Sequence, residues 1–141
     1  MPKYHEISEA VSAAQQKRHQ YKNDCLEFAK HQIDSFATHV GWPHELICFA
    51  QPGVPKESHE WRPGFNDSVR VEDGELTVGL RFETQRGHRI FSRMSVRKID
   101  DVFVVTIAGV SKAITGKGTK TPHFWDSVSV ALKILAESAA P

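Results

Sequence analysis

Four arginines and a phenylalanine, Arg81, Arg89, Phe91, Arg93 and Arg97, have the types and spacing to grip an anion. On a strand, side chains alternate between faces, so Arg89, Phe91, Arg93 and Arg97 fall in one row. Arg81 falls on the polar face of the preceding strand. A guanidinium fork matches phosphate or carboxylate, and an aromatic ring between arginines offers a nucleic-acid base a stacking surface. The plainer alternative is a solvated sheet face whose arginines pair with Glu83 and other surface acids. Lys117 and Lys120 extend the same candidate from a glycine-, lysine- and threonine-rich stretch, Gly109–Thr121, ahead of the last helix. Backbone N–H groups at a helix start favour phosphate. The spacing is not that of a P-loop, however. Six residues separate Gly109 from Gly116-Lys117 where that motif has four, and Gly118 follows the lysine. A surface loop is the expectation there.

A second group is His59-Glu60-Trp61-Arg62, inside the unpatterned stretch Pro52–Asp67. A loop this long in a small domain is often functional, and Trp and Arg are frequent interface anchors. His59, Trp61 and Arg62 are therefore expected to form a partner-binding loop. His59, Glu60 and His123 are the candidates for an acid or base, should the chain be an enzyme.

The eight histidines give little more. Glu27 and His31 share a helix face, and His39, His44 and Cys48 gather around a helix end. Neither group has the paired short spacings of a structural zinc site, and HExxH is absent. Cys25 falls in a helical apolar stripe and Cys48 in an apolar run, where burial raises a thiol's pKa and does not activate it. No catalytic residue, metal or cofactor is assigned.

The elements that position these residues are legible from periodicity. Tyr4, Ile7, Val11, Ala14, Tyr21, Cys25 and Phe28 recur at steps of three and four, with Arg18 interrupting. The stripe then shifts to Ala29, Ile33, Phe36, Ala37 and Val40. Ser8 is a candidate cap, and Gly41-Trp42-Pro43 a stop. Such a helix outruns a domain of this size, so it either breaks near Asn23-Asp24 or lays part of its length on a partner, the second being favoured. Glu45–Gln51 contains a short buried strand. Asp73-Gly74 is a tight-hairpin dipeptide, followed by alternation at Leu76, Val78, Leu80 and Phe82. Turns at Arg86-Gly87 and Asp100-Asp101 delimit two more strands. The last of these, Val102–Ala108, is apolar on both sides and is expected to be covered on both. From Thr121 or Pro122 a final helix carries Trp125, Val128, Ala131, Leu132 and Leu135 on one side, with Val130 and Ile134 on the other.

The expected class is thus α+β, with a long N-terminal helix and a C-terminal helix packed on an antiparallel meander of 3–5 strands. Residues 1–141 make one domain. The net charge of +1 hides an imbalance, with −3 over Met1–Gly74 and +5 over Glu75–Thr121. Two cysteines outside any CxxC pair, with neither a signal-peptide core nor an apolar run of membrane length, make the cytoplasm the expected compartment. The leading functional expectation is a small non-enzymatic binding protein, a homodimer that engages another protein. A nucleic-acid or anionic-ligand binder using the arginine face is the alternative, and a small-molecule enzyme the third reading.

Overall fold

Pro2 to Val40 form one unbroken helix, α1. At ~1.5 Å per residue it is roughly 58 Å long, whereas a chain of this size folds into a body roughly 35–40 Å across. The computed structural model describes residues 2–115 and 122–139. There is no break at Asn23-Asp24, and Ser8 is an interior residue, because the helix already starts at Pro2. The stop is as expected. Gly41 takes a positive φ of 73°, Trp42 N–H donates to the Ala37 carbonyl (2.8 Å) and Gly41 N–H to that of Thr38 (3.4 Å). Those two bonds satisfy carbonyls that the helix end would otherwise orphan.

The chain then enters strand β1 (Ile47–Ala50), a long loop, and strands β2 (Arg70–Glu72), β3 (Glu75–Glu83), β4 (Arg89–Ile99), β5 (Val102–Ile107) and β6 (Val110–Thr115), closing with helix α2 (Pro122–Ala139). All pairings are antiparallel, in the order β1-β3-β4-β5-β6, and β2 shares the β1 side of β3. The α+β class and the meander are therefore as the periodicity implies. Asp73-Gly74 makes the tight β2–β3 turn, both residues at positive φ, as a two-residue hairpin of this hand requires.

Two expectations need correction. Val110–Thr115, taken as part of a loop, is strand β6, paired to β5 from Ile107↔Val110 to Val102↔Thr115. Ser111, Lys112 and Ala113 break any apolar alternation, and the glycine- and lysine-rich residues that follow read as loop, so the strand is set by its pairing with β5. Second, β5 is not covered on both sides. Val105 and Ile107 are fully buried, whereas Val102 and Val104 on the other face stay half-exposed.

One face of the sheet carries the core. Leu76, Val78, Leu80 and Phe82 of β3, Met94 and Val96 of β4, and Val105 and Ile107 of β5 are fully buried there. The distal half of α1 supplies Cys25, Phe28, Ala29, Ile33, Phe36 and Ala37, and α2 supplies Phe124, Trp125, Val128 and Leu132. Each such large apolar side chain contributes about 1.5–3 kcal/mol on burial. Aromatic contacts fix the helices. Phe28 stacks on Phe103 at 4.0 Å, and Phe36 meets Phe82 edge-on at 5.8 Å and Trp125 at 5.7 Å. A contact of 2.9 Å between His39 Nε2 and Asp126 Oδ1 ties α1 to α2. Both helices lie on one face, so the other face of the sheet is left without helical cover.

Candidate functional site

The uncovered face is set by register. Arg81 stands opposite Phe91, Gly79 opposite Arg93, Thr77 opposite Ser95, Glu75 opposite Arg97 and Glu83 opposite Arg89. All the arginine-row candidates thus share one face, as the period of two implies. Arg89 is tied to Glu83 at 3.1 Å. Arg93 and Arg97 are exposed, and neither has a carboxylate within ion-pair distance among the described residues. Arg81 is half-buried, and its Nη2 donates to the Cys48 sulfur at 3.2 Å, while its buried Nε has no partner among the described residues. Sulfur is a weak acceptor, so this guanidinium has unspent donors.

The long loop folds back onto this face. Arg62 forms a bridge with Phe49, with N–H to carbonyl distances of 2.7 and 2.9 Å. That contact lays Trp61 across Gly79, where an added Cβ would sit 3.0 Å from the Ala50 carbonyl and 3.1 Å from the indole. Trp61 Nε1 donates to the Pro55 carbonyl at 3.1 Å, and its ring meets Phe91 edge-on at 5.3 Å. Lys56 places its ammonium 5.4 Å from the Phe91 ring centre. Trp61 therefore lies half-buried on the sheet, while its loop neighbours His59 and Arg62 are exposed. Lys117 and Lys120 lie outside the described residues.

A second feature sits where α1 leaves the body. The Tyr21 hydroxyl donates to the Gly74 carbonyl and accepts from Lys98 N–H at 3.0 Å. Lys98 Nζ pairs with Asp24 at 2.9 Å. The Lys98 hydrogen bond holds the Asp24 carboxyl below its ordinary pKa, and Asp24 in turn raises that of Lys98. Burial pushes the Tyr21 phenol and the Cys25 thiol up. Around this anchor, Lys17, Arg18, Lys22, Arg97 and Lys98, with Asp73 as the one acidic residue, line an open groove of about 770 Å³. None of these contacts has a short-range signal, since they join residues more than fifty positions apart.

Beyond the anchor α1 projects freely. From Lys3 to Gln20 every residue is exposed except half-buried Ala14. Tyr4 is 73%, Ile7 64% and Val11 51% exposed, and Val130 and Ile134 of α2 form a smaller exposed pair.

The other candidates do not converge. His44 stands 3.9 Å from Asp34, His39 is committed to Asp126, and Cys48 faces Arg81 on the opposite side of the sheet. Glu27 and His31 are exposed on α1, as are His59, Glu60 and His123 elsewhere. Among the described residues no set of three His, Cys, Asp or Glu side chains is grouped to hold a metal. A cleft of about 440 Å³ between α1, β1 and the loop is lined by Lys30, Asp34, His44, Phe49, Phe65 and Asp67 among others, apart from His59, Glu60 and His123. No described helix is long and apolar enough to cross a membrane. Compared with known proteins, the chain matches no family model, no curated protein and no solved structure.

Proposed function

We propose that this chain is a small binding protein that works as a homodimer, two copies being joined along the projecting part of α1. The observation that carries this reading is the exposure of Tyr4, Ile7 and Val11, on the same stripe that α1 buries farther along at Cys25 and Phe28. A second copy is the occupant because this segment is complementary to itself when antiparallel. One end carries Glu6 and Glu9 against Lys3, a net −1, and the other carries Lys17, Arg18 and Lys22, a net +3. An antiparallel pair sets Val11 against Ala14 and Tyr4 against Tyr21 and brings Glu6 and Glu9 of each copy toward the Lys17–Arg18 segment of the other, with Lys3 facing Lys22. A parallel pair sets like charges side by side, which disfavours it. A seam of some 18 residues is short of the roughly 800 Å² per partner of a standard interface, so association depends on concentration. The exposed Val130 and Ile134 offer a further protein partner a separate surface. Binding, rather than catalysis, is the reading, because the acid–base candidates His59, Glu60 and His123 share no described cleft. The two free thiols suit a reducing, cytoplasmic setting.

Sedimentation velocity over a wide concentration range tests the dimer. The wild type is expected to shift from monomer to dimer, and Ile7→Asp with Val11→Asp to remain monomeric while its body unfolds at the wild-type temperature. A wild type that stays monomeric throughout would overturn the reading.

A further inference from the structure

We infer that the helix-free face of the sheet is a binding site for single-stranded nucleic acid, on a surface separate from the proposed dimer seam. Three features distinguish it from an ordinary solvated face. Its charge is lopsided: β3 and β4 present Arg81, Arg89, Arg93 and Arg97 against Glu75 and Glu83, and Glu83 is spent on Arg89. Arg93 and Arg97 are exposed and keep their donors free for an anion.

Among these cations stands a pre-set aromatic pair. Trp61 is held by its bond to the Pro55 carbonyl and seated on Gly79, the residue that leaves room for the indole. It braces Phe91 edge-on, and both rings remain half-exposed. An aromatic already fixed in place loses little freedom when a base stacks on it. The neighbouring part of the face is without charge. Val104, Thr106, Ser111 and Ala113 of β5 and β6 carry small side chains there, and the Thr106 and Ser111 hydroxyls bond each other at 2.7 Å.

These features together select the ligand. A small anion would use the arginines and leave the aromatic pair idle. A duplex offers phosphates, but its bases are stacked on one another and have no free face for the aromatic pair. Unpaired bases have free π-faces for Phe91 and Trp61, and their backbone supplies phosphates to Arg93 and Arg97.

The experiment is fluorescence anisotropy of the full-length chain with labelled 20-nucleotide single-stranded DNA, single-stranded RNA and duplex DNA, at several salt concentrations. Binding is expected for one or both single strands, at least tenfold tighter than for the duplex. The DNA and RNA arms identify which strand is preferred. Arg93→Ala with Arg97→Ala is expected to lower the slope of log K against log salt by about 1.4, at ~0.7 per phosphate contact on a single strand. Phe91→Leu keeps an apolar neighbour for Trp61 and is expected to weaken binding roughly tenfold, one lost stacking contact. Ile7→Asp with Val11→Asp is expected to leave affinity per protomer unchanged, so failure of the dimer and failure of this site are separable. No binding at low salt, equal affinity for the duplex, or full affinity in the arginine variant would each overturn the inference.

Discussion

The Lys98–Asp24 contact shows how much one residue pair, invisible to local patterns, contributes to the architecture. Together with Tyr21 it pins α1 to the turn at Gly74 and to β4. Asp24 has a native pKa below its ordinary value, chiefly through the Lys98 hydrogen bond. The native state therefore resists protonating it. The contact's stabilisation is fully present above pH ~4, the ordinary aspartate value, and is lost as pH falls through the lower native value. Lys98, with a raised pKa, contributes below its ordinary value and loses that contribution as pH climbs through the raised one. Asp24→Asn is expected to cost about 0.5–1 kcal/mol at neutral pH, the scale of a partly exposed pair. Urea unfolding of wild type and variant should then converge as pH drops below 4. At this scale the sequence was least informative. Cys25 could be read as a buried thiol from its stripe, but the partners of Tyr21, Asp24 and Arg81 are set by chain segments that meet only in the folded protein.

At the scale of elements, periodicity was a good guide wherever one face of an element is buried. The stripe through Cys25 and Phe28, the alternation from Leu76 to Phe82 and the Asp73-Gly74 turn all report their environment directly. Strand β6 was illegible for a physical reason. It is entered through Ala108-Gly109 with both residues at positive φ, a conformation that alanine does not advertise, and its exposed positions carry no alternation. The arginine row was legible as a row, but the loop that lays Trp61 beside it was not. Gly79 tests that loop contact. Gly79→Ala puts a methyl group 3.0 Å from the Ala50 carbonyl and 3.1 Å from Trp61, so the indole must lift or β1 must shift. The expected cost is about 1–3 kcal/mol, as for overpacking, measured as a lower urea midpoint. Trp61 emission should move to the red as the ring enters water, compared in a background carrying Trp42→Phe and Trp125→Phe, which leaves Trp61 as the one tryptophan.

Over the whole molecule, both helices serve one face of the sheet, which leaves the other face and the first half of α1 open. The length of α1 and the charge imbalance of the chain were readable from composition and spacing. Which surfaces they would expose was not, because that depends on where the body ends along the helix. The strand order also leaves β6 at the end of the sheet. Lys112 stands opposite Val105 in register, on the helix side of the sheet, yet its side chain is exposed. A cation turned inward on a terminal strand charges any foreign strand that tries to add there, and so guards against aggregation. Lys112→Val should leave the stability to urea within about 0.5 kcal/mol of the wild type, the usual range for a surface change. Light scattering during prolonged incubation at high concentration should nevertheless rise well above that of the wild type. A variant that stayed as clear as the wild type would show that colloidal protection of this edge comes from elsewhere in the chain.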